Sequence, residues 1–403
     1  MNTATSGGTC LGLTLPLSLV SNAGYSIEAQ YEALLCVYHH VIPKLGPSPG
    51  SLNPALKKGD SELSLDGTHI EYSWRWNEPN TKPEIRMVME PFSRFAGTYM
   101  DPLNIKPAAE TLYSMTSQVS SLDMTVFNHF ISKLYDPAWH KYLETDERPI
   151  MTNVCLGFEF LNREILPKAY FFPRKLGQVG LTPIDVWEEA LTAAAPQSLT
   201  MSTVFSFIKQ DSAELGLTLT PLWLGIDVVR PADARLKLCC AEARTSFESV
   251  MSVLTMDGRI NIEPDLVEQT WGIMKAVCDL PAGFPRSQVP KAPKYNASVD
   301  GIDTAGLWGT FFYYFDTGIG REELPDIKFY IPYVDAYWNT LRAIITHRSL
   351  GESRGAHMWL SMMVRGGKLQ ATSYIAPEGY HLKRLGGRER PQNAIAERVT
   401  RDF

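Results

Sequence analysis

Five pairs of strand-like segments, each closed by a connection and separated from the next by helical stretches, constrain this chain more than any other feature. The pairs are His69 to Trp76 with Glu84 to Pro91, Asn153 to Leu161 with Pro167 to Pro173, Leu222 to Val229 with Ala234 to Cys240, Leu307 to Phe315 with Ile327 to Pro332, and His357 to Val364 with Leu369 to Ala376. Asn77-Glu78-Pro79-Asn80, Asn162-Arg163-Glu164, Arg230-Pro231-Ala232-Asp233 and Arg365-Gly366-Gly367-Lys368 supply turns; the fourth pair is joined through the longer Asp316 to Asp326. Helical spacing marks Ser26 to Val41, with Ser26 as N-cap, and then Ile105 to Leu134, Pro183 to Ile208, Ser246 to Val253 and Leu266 to Val277. Four prolines between Asp279 and Asp300 make that stretch a connecting loop. Helices followed by a hairpin, repeated five times, predict an α+β fold in which ten antiparallel strands close into one barrel inside a ring of helices, leaving no free sheet edge. Two separate α+β domains are the other architecture. We expect residues 1–403 to form a single barrel domain, with residues 1–24 and 382–403 as flexible or peripheral ends.

Alternation within the second strand of each hairpin then assigns faces. Ile85, Met87 and Met89 share one side while Arg86, Val88 and Glu90 share the other. The same division sets Ala169 and Phe171 against Lys168 and Tyr170, Leu236 and Leu238 against Arg235 and Lys237, and Phe329 and Ile331 against Lys328 and Tyr330. Apolar faces bury against helices, so the cations and tyrosines are expected to point into the barrel. Five converging cations, Arg86, Lys168, Arg235, Lys237 and Lys328, exceed what a buried site holds without an anion, and a diphosphate fits their chemistry. Taken singly, each could instead be an edge-strand gatekeeper or a surface charge. Tyr170, Tyr330 and Tyr374 can surround a carbocation with π faces and exclude water, although tyrosine also favours strands for its own reasons. Glu71, opposite in facing to Ile70, Tyr72 and Trp74, points inward, where it could accept a hydrogen bond from an acceptor N–H or O–H or act as a counter-ion.

Absences narrow the class. The sequence has no aspartate-rich DDxxD cluster, Walker loop or GxGxxG fingerprint, so the cations are expected to do the work of a metal, with no cofactor and no essential magnesium. His39 and His40 lie in an apolar helical window and read as structural. A net charge of −6 argues against nucleic acid or anionic lipid as partners, and no run reaches the ~20 apolar residues of a membrane helix. Six cysteines without CxxC pairing imply reduced thiols in a cytoplasmic protein. The apolar stretch Leu11 to Val20 lacks a preceding Lys or Arg, so it is not expected to be a secretion signal, and Asn296-Ala297-Ser298 is then no glycosylation site.

Ile70-Glu71-Tyr72-Ser73-Trp74, Pro83-Glu84-Ile85-Arg86, Val154-Cys155-Leu156-Gly157-Phe158-Glu159, Lys168-Ala169-Tyr170-Phe171-Phe172-Pro173, Gly225-Ile226-Asp227 with Arg235-Leu236-Lys237, and Pro325-Asp326-Ile327-Lys328-Phe329-Tyr330-Ile331-Pro332 resemble the fungal aromatic prenyltransferases of the dimethylallyltryptophan synthase type. The resemblance runs from about Tyr25 to His381. It implies the prenyltransferase (ABBA) barrel and transfer of a dimethylallyl or longer group from an allylic diphosphate to an indole-containing acceptor. A polycyclic phenolic acceptor, or a non-catalytic diphosphate-binding barrel, is the alternative. It further implies that the five cations hold the diphosphate, that Tyr170, Tyr330 and Tyr374 form a tyrosine shield, and that Glu71 binds an indole N–H. Cys155 stands where tryptophan-specific members carry a lysine, which counts against prenylation of free tryptophan at C4. Cys239 replaces a shield tyrosine and leaves room for a longer donor, while Trp359 and Met363 stand where others often have tyrosine, which implies a thinner shield. A homodimer is compatible with this reading.

Overall fold

A computed structural model describes residues 16–45, 63, 68–76, 82–96, 98–135, 153–161, 164–173, 182–242, 245–278, 280–290, 298–299, 302–303, 311–319, 323–332 and 357–377. Ten strands form one closed antiparallel barrel: β1 (Ile70–Trp76), β2 (Glu84–Met89), β3 (Val154–Phe160), β4 (Ile165–Phe171), β5 (Thr220–Asp227), β6 (Arg235–Glu242), β7 (Phe311–Gly318), β8 (Asp326–Pro332), β9 (His357–Arg365) and β10 (Lys368–Ile375). Neighbours in sequence are neighbours in the sheet, and β1 pairs β10 to close it. The two-domain alternative is thereby excluded for these strands, since all five hairpins share one sheet. Asn296, with 279, 291–297 and 300 of the loop from 279 to 300, lies outside the described residues. Inside that loop Ser298–Val299 pairs with Ile302–Asp303, apart from the barrel.

The face division follows from burial. Ile85, Met87, Met89, Leu156, Phe158, Phe171, Leu238 and Phe329 are buried on the outer side of the strands. Helices cover them: the rings of Phe127 and Phe130 lie 5.6 and 5.7 Å from that of Phe171. Losing such a ring, as in Phe171→Ala, costs about 3–5 kcal/mol. Tyr25 ties the helical layer to the sheet, donating its hydroxyl to the Phe160 carbonyl at 2.6 Å and accepting from the Ile85 N–H at 3.1 Å. Leu19 and Val20 are also buried in this core, so part of the stretch expected to be a peripheral end is packed, and its apolar character serves that packing.

Caps explain where the helices begin. Ser26 accepts from the Ala29 N–H ahead of Ile27–Cys36, as the sequence predicts, and Ser246 forms a capping box with Ser249 ahead of Phe247–Leu254. Two windows read as continuous are each broken. Ile105 to Leu134 divides into Lys106–Met115 and Thr125–Leu134, because the chain between them bridges Leu122 to Val229 and then turns with the Asp123 carboxylate accepting from the Thr125 N–H. Pro183 to Ile208 divides into Ile184–Ala194 and Leu199–Ser206, where Pro196 lacks a helical N–H and Ser198 caps the second helix through the Met201 N–H. Among the described residues no helix is long and apolar enough to cross a membrane.

Candidate active site

Strand register decides which inward side chains meet. Directly opposed residues of an antiparallel pair share a face. Arg86 faces Glu159, Lys168 faces Gly157 and Asp227, Lys237 faces Gly225 and Asp316, and Lys328 faces Tyr314 and Met363. The outer faces are already occupied by the core, so all five cations point into the lumen. This placement removes the reading of them as gatekeepers or surface charges, and it leaves them off the outer face that a nucleic-acid surface would need.

These cations are not bare, which corrects the expectation that they depend on an added anion for compensation. Arg86 donates through Nε to Glu159 at 2.7 Å and through Nη2 to Glu84 at 3.0 Å. Lys168 lies 2.9 Å from Glu159 and 2.7 Å from Asp227. Asp227 also receives Arg235 Nε at 2.6 Å and Lys237 Nζ at 2.8 Å, while Arg235 approaches Asp316 at 3.6 Å. Burial alone would raise Glu159 and Asp227, but Arg86 and Lys168 around the first, and Lys237, Lys168 and Arg235 around the second, hold both well below the usual carboxylate range. Arg75, which sequence reading did not single out, joins the band by donating to Glu84 at 2.9 Å and Gln370 at 2.6 Å. The described ion pairs thus bring Arg75, Arg86, Lys168, Arg235 and Lys237 onto Glu84, Glu159, Asp227 and Asp316.

Lys328 differs. Among the described residues its hydrogen-bond partners are the hydroxyls of Thr372 at 3.4 Å and Tyr374 at 3.3 Å, with the rings of Tyr330 and Tyr374 at 5.4 and 5.8 Å. Burial first, and then the charges of Arg86 and Arg75, push its ammonium well below the ordinary lysine value. Burial likewise brings Lys237 down to about 8 against the pull of Asp227. Among the described inward groups Arg75, Arg86, Lys168, Arg235, Lys237 and Lys328 outnumber the paired carboxylates Glu84, Glu159, Asp227 and Asp316, and an incoming polyanion would favour the charged form of Lys237 and Lys328.

Next to the ionic band runs an aromatic one. Tyr330 and Tyr374 share a hydrogen bond between hydroxyls at 3.0 Å, and the Tyr314 ring lies 5.1 Å from Tyr330. Cys239, Phe312 and Tyr314 form a buried cluster separate from the helix-side core, packed by Leu222, Trp223, Ala241, Tyr330 and Trp359. Trp223 donates its indole N–H to the Tyr314 hydroxyl, and Phe312 lies 4.9 Å from Trp359. Tyr314 directly opposes Cys239 across the β6–β7 pair, so an aromatic ring stands beside the position where the sequence implies a gap. Met363 sits across from Lys328, and Cys155 is buried on the inner face opposite Tyr170. Glu71 is buried too; desolvation raises its carboxyl to about 8. His40, by contrast, contacts Gln118 at 3.0 Å and Ser114 at 3.3 Å, the structural role expected of it.

Glu159, Asp227, Tyr314 and Trp223 were not assigned roles from the sequence. The acids had a usable signal, because Cys155, Gly157 and Glu159 alternate on one face of β3 as Gly225 and Asp227 do on β5. Tyr314 had none: Phe311-Phe312-Tyr313-Tyr314-Phe315 is aromatic throughout, so no alternation separates lumen from core. The structure sends Tyr313 into the helix-side core and Tyr314 into the lumen cluster.

Comparison with known proteins agrees with this architecture. The family profile described as Tryptophan dimethylallyltransferase matches residues 15–356. Prenyltransferase anuH of Penicillium roqueforti is 34% identical, covering 90% of this chain and 86% of that protein. Xanthone prenyltransferase A of Emericella nidulans is 33% identical, covering 89% of each. The crystal structure of AnaPT from Neosartorya fischeri superposes with a TM-score of 0.70 over 91% of this chain and 92% of that one, at 20% identity.

Proposed function

Because the chain belongs to the tryptophan dimethylallyltransferase family, and is thus an aromatic prenyltransferase with the prenyltransferase barrel fold, we propose that it works by metal-independent electrophilic aromatic substitution. The observation that carries this reading is the lumen itself, where an over-positive ionic band adjoins an aromatic band with no break between them. Arg86, Lys168, Arg235, Lys237 and Lys328 take the diphosphate of the donor. As the carbon–oxygen bond of the donor breaks, its electron pair leaves with the diphosphate, and these cations stabilise the developing charge. Tyr170, Tyr330 and Tyr374, joined by Tyr314, face the allylic cation and keep water from it. The held acceptor ring then attacks, a carbon–carbon bond forms, and loss of the ring proton restores aromaticity.

Glu71 holds the acceptor through its N–H or O–H. An indole-containing acceptor is the first reading, since Glu71 is an inward, buried carboxyl suited to a single N–H donor. A polycyclic phenol is the second, favoured by the similarity to Xanthone prenyltransferase A. The protein acts in the cytoplasm, a reading in keeping with the absence of a disulfide at Cys36, Cys239, Cys240 and Cys278 among the described residues. Incubation with dimethylallyl, geranyl and farnesyl diphosphates against indoles and polycyclic phenols, in EDTA and followed by mass spectrometry, tests the proposal. A prenylated product in EDTA is expected. Activity lost on chelation and restored by magnesium would overturn the metal-independent mechanism.

A further inference from the structure

Tyr170 owes its position to two missing side chains. On β4 it opposes Cys155 of β3 and Gly225 of β5, and Gly157 is the next inward residue along β3. A methyl group on Gly157 would lie 2.9 Å from Tyr170 Cε2 and 3.3 Å from its hydroxyl; one on Gly225 would lie 3.1 Å from both Cδ1 and Cε1. One edge of the ring therefore rests on each glycine, and the ring lies flat across three strands. Neither glycine has the positive φ that would explain it by backbone conformation. Glycine inside a strand weakens it, and here close approach of the ring is what remains to account for both.

The location gives the contact a consequence. Gly157 opposes Lys168, and Gly225 opposes Lys237, so the flattened ring lies beside the ionic band with its free face toward the lumen. We propose that Gly157 and Gly225 are positioning residues that hold Tyr170 against the barrel wall and thereby set both the width of the donor chamber and its closure to water. The inference rests on the transfer reaction proposed above. On Gly225 an added methyl group has Tyr170 as its one tight neighbour, Lys237 Cβ lying at an ordinary 3.7 Å, so it is relieved by lifting the ring into the lumen; on Gly157 it presses hardest on the ring and also meets Lys168 Cβ at 3.3 Å. A lifted ring narrows the space for a longer prenyl chain and opens a gap beside the cation, where water adds to carbon, loses a proton and releases the prenyl alcohol.

Gly157→Ala and Gly225→Ala, each made with Tyr170 present and in a Tyr170→Ala background, test this. Binding of the unreactive dimethylallyl and geranyl S-thiolodiphosphates is measured by calorimetry, and the ratio of prenyl alcohol to prenylated acceptor is measured with the reactive donors. With Tyr170 present, each alanine is expected to shift the geranyl-to-dimethylallyl affinity ratio by about tenfold toward the shorter chain and to raise the alcohol fraction. In the Tyr170→Ala background both shifts should vanish for Gly225→Ala, because the ring that must move is gone, and shrink for Gly157→Ala, whose methyl group still meets Lys168 Cβ. Equal shifts in the two backgrounds, or none, would overturn the proposal. Gly225→Ala, with the looser contact, keeps the test available if Gly157→Ala fails to fold. Absence of any prenylated product from the unmodified protein would instead count against the transfer reaction, and the calorimetric ratios would still decide the role of the glycines.

Discussion

The ionic and aromatic bands of the lumen are built on the same strands, two residues apart, yet they are held in different ways. In the ionic band the positions are locked by charge: Asp227 alone receives Lys168, Arg235 and Lys237, and Glu159 ties Lys168 to Arg86. In the aromatic band they are set by shape, through tilted and edge-on rings, the Tyr330–Tyr374 hydroxyl pair and the glycines under Tyr170. Lys328 belongs to both. The difference teaches that diphosphate recognition and cation shielding can be altered separately, since a charge lost from one band leaves the ring contacts of the other intact.

The sharpest break is expected in the ionic band. Lys168→Ala or Arg235→Ala should lower turnover by about two or more orders of magnitude, the usual effect of losing transition-state charge stabilisation. Steady-state kinetics at saturating acceptor measure this; wild-type rates in both variants would dissociate the band from leaving-group departure.

Asp227→Asn attacks the same band from the opposite sign. It leaves three cations around a neutral amide, and breaking a buried ion pair costs roughly 3–5 kcal/mol. A marked fall in melting temperature is expected, recovered in part by inorganic diphosphate, which binds the freed cations. A variant that melts like the wild type, with or without diphosphate, would show that the carboxylate does not organise the band.

Cys239→Tyr probes the aromatic band. The new ring must enter a cluster already filled by Tyr314 and Trp223, and overpacking costs about 1–3 kcal/mol. Because that cluster is already filled, kcat/KM for geranyl and for dimethylallyl diphosphate should fall together by roughly tenfold, with their ratio unchanged. A ratio shifted toward dimethylallyl diphosphate would instead make Cys239 a determinant of donor length.

The last break concerns stability at Glu71, outside both bands. Burial raises its carboxyl from 4.5 to about 8, so between those values the unfolded chain has released the proton that the folded chain retains. Stability contributed by this group accordingly falls as pH rises from about 4.5 and levels off above about 8. Glu71→Gln should be more stable than the wild type by a margin that widens over that range, even as acceptor use declines. Thermal melts from pH 5 to 9 measure it; a constant difference would mean that Glu71 ionises normally in the folded protein.

Much of this was legible before any coordinates. Period-two alternation is a local property, so Ile85-Arg86-Met87, Lys168-Ala169-Tyr170 and Lys328-Phe329-Tyr330 declared their faces from neighbouring residues alone, and five such hairpins implied a closed barrel with a cationic lumen. The resemblance carried by the same segments identified the chemistry. What alternation cannot report is which inward residues on different strands touch. Lys168 and Asp227 are 59 residues apart, Lys328 and Tyr374 are 46 apart, and only register across the closed sheet brings each pair together. Tyr314, in a run of five aromatics, has no polar neighbour to mark its side, and the Tyr170 slot exists only where β3, β4 and β5 lie adjacent. Facing is written along one strand; contact belongs to the sheet, where ion-paired cations, a filled Cys239 cluster and a ring laid on two glycines depend on strands that meet far from one another in the chain.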